Sequence, residues 1–192
     1  MTTGSSDTAG KLVGGAAQLI MRGGYNGFSY ADLAEQFGIR KASIHHHFPS
    51  KVDLVVAVVE QGRTLIQAQI AALEAEPAAM EQLLGYTGYW ARCITDQTAP
   101  FCLGAALGAD MPSLPPEVAA SVRGHFADLA TWLEGVLVLG VAQGTMKLDS
   151  SPAIEAQTFL SGVYGAMLVA RVFDDPARFA IVVERFVSGI RL

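Results

Sequence analysis

The sequence predicts an all-α fold, and three observations support this. Apolar residues recur at helical spacing along most of the 192 residues, and the hydrophobic share of 51% is enough for a sizeable core. Glycine and proline interrupt these runs at intervals that suit separate helices. Two capping-box patterns, Ser29 with Asp32 and Ser50 with Asp53, predict where two of the helices begin.

The segment 29–51 is the most informative part of the chain. Its first half predicts a short helix with an apolar stripe that includes Leu33 and Phe37. Gly38 then supplies a sharp turn, because glycine adopts the left-handed conformation at little cost. A second short helix follows, and Ile44 is expected to pack it onto the first.

The second short helix begins with small or basic residues, Arg40 to Ser43, and carries no acidic side chain there. Such a helix N-terminus suits a phosphate backbone. This is the helix-turn-helix pattern, in which the second helix enters the major groove of DNA. An ordinary helical hairpin has the same spacing and remains the alternative on the pattern alone.

The residues that follow resemble the N-terminal DNA-binding domain of TetR-type transcriptional repressors. Segment 44–51 reads Ile-His-His-His-Phe-Pro-Ser-Lys, which matches the family's aromatic-X-His-Phe step into a Pro-Ser-Lys-like helix start. Two positions depart from the family pattern: His45 stands where tyrosine is usual, and Arg40 replaces the usual small N-cap.

The resemblance implies a three-helix DNA-binding domain at residues 1–51 and a helical ligand-binding and dimerisation domain at residues 52–192. It implies a repressor that a small molecule releases from a palindromic operator in double-stranded DNA. His47 is expected to pack at the helix end. The expected DNA-binding residues are Ser29, Arg40, Lys41, Ala42, Ser43, His45, His46 and Lys51.

The charge distribution agrees with DNA contact at one end only. The net charge of −5 argues against a protein that coats nucleic acid generally. Residues 1–51 carry a formal charge of +2, whereas residues 52–192 carry −7. A weakly basic N-terminal part on an acidic body fits a localised DNA-binding surface.

Several patterns exclude other classes of protein. No signal-peptide pattern is present, and the uncharged run Ala156–Ala170 is expected to be too short to span a membrane. A cytoplasmic protein with Cys93 and Cys102 as reduced thiols is therefore expected. The run His45–His47 does not predict a metal site, because neighbouring side chains on a helix point about 100° apart.

The body is expected to consist of further helices with proline or glycine between them. Helical spacing and breaks, including one at Pro100, predict helices over residues 11–22, 51–74, 80–96, 116–144, 152–173 and 176–190.

The helix predicted over residues 152–173 is almost free of charge between Glu155 and Arg171. We expect Gly162, Gly165 and nearby alanines to form one close-approach ridge on it. A helix that is apolar on most sides must be covered on most sides. The family arrangement favours a homodimer through residues 152–190, in which these helices form a four-helix bundle. A buried pair within one subunit is the alternative.

The family's ligand cavity lies in the core of the body, which predicts where an unknown small-molecule effector binds. Cys102 follows a predicted break, so it could be a reachable thiol sensor, although buried cysteines are commonly inert. His125 could equally be a core residue. The polar or soft candidates are Tyr86, Trp90, Cys93, Cys102, His125 and Tyr164.

No catalytic motif is found: the sequence lacks G-x-S-x-G, a P-loop and H-E-x-x-H. We therefore expect no enzyme activity, no cofactor and no membrane partner. The rival class is a small-molecule carrier or helical enzyme in which the helix-turn-helix pattern is accidental.

Overall fold

The all-α prediction is confirmed by a computed structural model of the chain, which describes residues 3–99 and 101–192. Pro100, where a helix break was predicted, lies outside the described residues. A short 3-10 helix, Met111–Ser113, lies between two of the α-helices. Within the described residues the α-helices are α1 Thr3–Gly23, α2 Tyr30–Phe37, α3 Lys41–His47, α4 Lys51–Glu74, α5 Ala79–Thr95, α6 Leu103–Ala109, α7 Pro116–Ala142, α8 Pro152–Phe173 and α9 Ala177–Ile190.

The predicted helix bounds hold within about two residues, except at the start of α1. We expected this helix to begin near Lys11, but it begins at Thr3. Thr8 and Ala9 are half-buried, which means that packing stabilises a segment with weak helix propensity. Tertiary burial thus overrides the local composition here.

The described residues form two compact units. The first contains the chain up to Leu65 together with Leu103–His125, and the second contains Ile66–Cys102 (Pro100 aside) and Phe126–Leu192. Helices α4 and α7 therefore contribute residues to both units. The functional division at residues 51 and 52 stays a prediction.

In the first unit, α1 packs against α2 and α6, and α2 packs against α3. Gly15 permits the contact with α2, because a Cβ there would lie 2.5 Å from the Phe37 ring. The loop after α1 is also fixed: the Asp110 carboxylate accepts a hydrogen bond of 2.7 Å from the Tyr25 amide. These contacts hold α6 and the N-terminal helices together as one body.

In the second unit, α8 packs along α9, and α5 also contacts α9. The prediction that the small residues of α8 form one ridge is wrong. Gly162 lies under the Phe186 ring of α9, and Ala166 and Ala170 are buried in the same subunit. Gly165 is exposed, and a Cβ there would meet nothing within 4 Å. The 3.6-residue period divides these small residues between an inner and an outer face.

Helices α7 and α8 are each long and apolar enough to cross a membrane, judged by length and composition alone. This differs from the expectation based on the uncharged run. The most apolar stretch of each helix is 39% buried inside the chain. Core helices of soluble proteins have the same properties, so this observation is weak evidence for a membrane span.

Candidate functional site

The predicted helix-turn-helix is present in α2 and α3. The Ser29 hydroxyl accepts from the amides of Ala31 and Asp32, and the Asp32 carboxylate accepts from the Ser29 amide at 2.6 Å. Hydrogen bonds from the Ser29 hydroxyl and amide hold the pKa of Asp32 below its usual value. Gly38 has φ of 62°, the left-handed conformation that the sharp turn requires. The Ser29 capping box and the Gly38 turn are thus confirmed.

Helix α3 is held by one buried residue and exposes most of the others. Ile44 is completely buried, and Arg40 caps the helix without a side-chain hydrogen bond. Lys41, Ala42, Ser43, His45 and His46 are all exposed. A groove on this surface is lined by Thr8, Ile39, Arg40, Ala42, Ser43, His46 and His47.

The groove brings together four of the predicted DNA-binding residues and adds three that were not predicted to contact DNA. Thr8 comes from α1, and its position depends on how α1 packs, so no local pattern could indicate it. Ile39 precedes α3, and His47 was expected only to pack at the end of that helix. His45 is not among the groove residues: its ring packs on Tyr30 at 4.8 Å, and its Nδ1 lies 3.1 Å from the Pro49 carbonyl oxygen.

The end of α3 is attached to the start of α4 through Tyr30. The Tyr30 hydroxyl is within hydrogen-bonding distance of the carbonyl oxygens of Phe48 (2.9 Å) and Ser50 (2.6 Å). Burial, with Asp53 adding to it, raises the pKa of Tyr30 to about 12. The protonated hydroxyl is therefore the form that the fold stabilises. Its contribution to stability is present below about pH 10 and is lost as the pH rises towards 12.

Tyr30→Phe is expected to destabilise the protein by about 1–3 kcal/mol, because two carbonyls lose a buried donor. The free energy of unfolding in urea at neutral pH measures the change. Tyr25→Phe is the matched control: its hydroxyl makes no hydrogen bond among the residues described, so a change within about 0.5 kcal/mol is expected. Equal effects of the two substitutions would contradict the role of the Tyr30 hydroxyl.

Lys51 is only half-exposed, and its ammonium group makes contacts within the chain. Its Nζ donates to the Phe28 carbonyl at 2.5 Å and lies over the rings of Tyr25 and Phe28, 4.6 and 4.4 Å from their centroids. Burial lowers the pKa of this lysine. These contacts link the start of α4 to the loop before α2, and a phosphate contact by Lys51 stays a prediction.

The predicted ligand-binding residues lie mostly in the second unit. Tyr86, Trp90, Cys93 and Cys102 are buried, Tyr164 is partly buried, and both cysteines are free thiols as expected. Cys102 Sγ donates to the Tyr164 hydroxyl at 3.6 Å. His125 is buried too, but it belongs to the first unit.

Buried donors without partners mark the interior of the second unit. The Tyr86 hydroxyl and the Nε1 atoms of Trp90 and Trp132 are buried and have no hydrogen-bond partner within the part of the chain that is described. Burial, followed by the nearby Cys102, raises the pKa of Tyr86 and of Tyr164. Trp132, whose ring lies 5.3 Å from that of Tyr86, was not among the residues that the sequence suggested for ligand binding. An unpaired buried donor favours a bound acceptor.

The outer faces of α8 and α9 carry a large apolar surface. Leu168 is 52% exposed and Val172 is 70% exposed, and Ile181 on α9 is 65% exposed. Contiguous apolar surface of this kind marks interaction sites. Within the residues described, no group of three histidine, cysteine or acidic side chains could hold a metal ion.

These features define a helix-turn-helix DNA-binding protein with a helical body, and comparison with known proteins identifies its family. The model of bacterial regulatory proteins of the tetR family matches residues 12–58, and the tetracyclin repressor-like C-terminal domain matches residues 79–186. The chain belongs to the TetR family of bacterial transcriptional regulators, which are not enzymes.

Individual relatives agree with this assignment. A structure of a TetR-family regulator from Agrobacterium tumefaciens is 45% identical, covers 98% of this chain and 100% of its own, and has a TM-score of 0.96. A TetR regulator from Legionella pneumophila is 29% identical over 94% of this chain and 95% of its own, with a TM-score of 0.85. The HTH-type regulator CymR of Pseudomonas putida is 31% identical over 69% of this chain, and the match spans 66% of CymR.

Proposed function

We propose that this protein is a homodimeric repressor that binds a palindromic operator and is released by a small molecule. The proposal rests on helix α3, which exposes a surface without acidic side chains and is anchored by one buried residue, Ile44. A regulator of this kind works in the cytoplasm. The proposed phosphate and base contacts come from Arg40, Lys41, Ala42, Ser43 and His46, with Ser29, His45 and Lys51 at the edge of the surface.

The exposed apolar surface of α8 and α9 supports dimerisation through residues 152–190. A second copy of the chain would cover this surface in a symmetric contact, as two-fold dimers do. Two recognition helices can then enter successive major grooves when they lie about 34–36 Å apart. The palindromic operator follows from this symmetry.

Helix α4 supports a ligand response, because it is continuous from Lys51 to Glu74 and contributes residues to both units. A ligand releases DNA only if it binds more tightly to the conformation that does not fit the operator. Binding in the second unit at the C-terminal half of α4 would shift the helix that also begins next to α3.

Lys41→Ala is expected to weaken binding to every DNA sequence and to lower the slope of log affinity against log salt by about one. Fluorescence anisotropy with the DNA upstream of the protein's own gene, at several salt concentrations, measures both. Lys147→Ala is the matched control, since it removes an equally exposed charge from the second unit. It should leave both quantities unchanged.

Two further substitutions complete the experiment. Ser43→Ala and His46→Ala change the groove without removing a permanent charge, so they should affect the choice of sequence more than the salt slope. If all three α3 variants bound the operator with unchanged affinity, the assignment of α3 to the major groove of DNA would be wrong. Absence of salt-dependent binding to a palindromic operator would instead favour the rival class, a small-molecule carrier or helical enzyme.

A further inference from the structure

A small cavity lies within the second unit between the C-terminal half of α4 and the outer face of α5. Its volume is about 230 Å³, which is below the usual range for drug-sized ligands. The lining is mainly apolar, and the polar groups come from four side chains. The residues around it are Ile66, Gln69, Ile70, Ala72, Leu73, Gly85, Tyr86, Tyr89 and Arg92.

The sequence of α5 explains why a cavity forms here. Gly85 and Tyr89 lie one turn apart on the same face, and Arg92 follows three residues later. A Cβ at Gly85 would lie 2.4 Å from Leu73 Cδ2, so the missing side chain lets α4 approach closely at this point. The absence of a side chain at Gly85 leaves room for Leu73 in the wall of the cavity.

Arg92 is exposed to solvent and also lines this mainly apolar cavity, so its positive charge lies where the cavity meets solvent. Its Nη1 atom would lie 3.6 Å from a Cβ built on Gly88, so the side chain runs back along α5 over a position without a side chain. Arg92 forms no ion pair with any residue described in the structure. A guanidinium group next to apolar walls attracts an anion, and its planar fork fits a carboxylate with two parallel hydrogen bonds.

Three uncharged polar side chains lie in the same lining. Tyr89 is half-exposed. Burial raises the pKa of its phenol, and the nearby side chain of Gln69 acts in the opposite direction and lowers it. Tyr86 forms part of the wall, and its hydroxyl is one of the buried groups without a partner. The lining therefore offers an apolar surface, a few uncharged polar groups and one cation.

We propose that this cavity binds a small carboxylate with a compact apolar body. The carboxylate pairs with Arg92, and the body lies against Ile70 and Leu73 of α4. This inference rests on the proposed function in one respect, since the bound carboxylate is the effector of that function. The limited volume favours a single ring or a short branched chain over a polycyclic ligand.

The test measures binding to the DNA-free, full-length protein, with 4-methylbenzoate and hexanoate as probes. Their uncharged amides, 4-methylbenzamide and hexanamide, are matched controls of nearly the same shape. Calorimetry gives the affinity, and intrinsic fluorescence reports binding near the cavity, since Trp90 lies 5.2 Å from the Tyr89 ring and Trp132 lies 5.3 Å from the Tyr86 ring. At least one carboxylate should bind more tightly than its amide by about ten-fold or more.

Arg92→Gln should remove this preference and reduce carboxylate affinity by about ten-fold or more, leaving amide binding unchanged. Arg92→Lys should restore part of the affinity, because the charge returns without the planar fork. Arg123→Gln is the control, as it removes an exposed arginine from the first unit. Unchanged carboxylate affinity in Arg92→Gln, equal binding of acid and amide, or no binding of either acid would overturn the proposal.

Operator binding without ligand is measured in parallel, so that the two proposals can fail separately. Wild-type protein that binds operator DNA but neither carboxylate retains the proposed DNA-binding function and loses the proposed ligand class. Protein that binds a carboxylate through Arg92 but binds no operator retains the cavity assignment and loses the repressor function.

Discussion

Gly165→Glu is expected to convert the proposed dimer into monomers or insoluble protein. Gly165 is exposed on α8 with open space at its Cβ position, and the exposed Leu168 and Val169 lie on the next turn. A carboxylate in a dry interface between packed helices has no partner, and burying such an unpaired charge destabilises the interface by about 3–5 kcal/mol. Two-fold symmetry doubles the number of such groups. Light scattering coupled to size-exclusion chromatography measures the assembly.

The matched control is Gly14→Glu, which introduces the same residue at an exposed glycine of α1 with open space at its Cβ position. It should leave the size of the assembly unchanged. A soluble Gly165→Glu protein of wild-type size would show that the dimer interface lies elsewhere. It would leave the DNA-binding assignment intact, because that rests on α3.

Ile44→Ala is expected to destabilise the first unit by about 2–5 kcal/mol and to abolish operator binding. Ile44 is fully buried, and among the residues that the structure describes it is the only one of α3 that is buried. Removing its side chain leaves a cavity and frees α3 from α2. Hydrogen exchange of the α2 and α3 amides, together with urea unfolding, separates loss of this unit from global unfolding.

Leu65→Ala is the control for this truncation. Leu65 is an apolar residue of α4 that is 60% exposed. A change within about 0.5 kcal/mol is expected there. If Ile44→Ala retained wild-type operator affinity and protection from exchange, the interpretation of α3 as a helix held by one core residue would fail.

The geometry of the proposed DNA-binding surface could be predicted from the sequence to a large extent, because its signals are local. The capping box at Ser29, the turn at Gly38 and the exposed start of α3 involve residues within a few positions of each other. Thr8 could not be predicted as part of this surface. It enters the groove through the packing of α1, and no short-range pattern encodes that contact.

The ligand-binding region was predicted less completely, because burial alone does not separate core residues from cavity residues. The candidates Tyr86 and Tyr164 were chosen as polar groups within the body, and the structure places Tyr86 in the wall of a cavity. Arg92 was not considered, since an arginine near a helix end is usually solvated. Its proximity to the cavity depends on the missing side chains at Gly85 and Gly88, together with the position of α4.

The sequence by itself determined the helices, their approximate ends and the helix-turn-helix, because hydrogen bonds and caps within one turn decide these features. Only the tertiary structure decided which face of each helix is buried. Gly162 packs under Phe186 while Gly165 faces outwards, and Lys51 contacts Phe28 although its sequence position suggests a phosphate contact. Such outcomes depend on neighbours that are distant in the chain, and packing against those neighbours outweighs local preference.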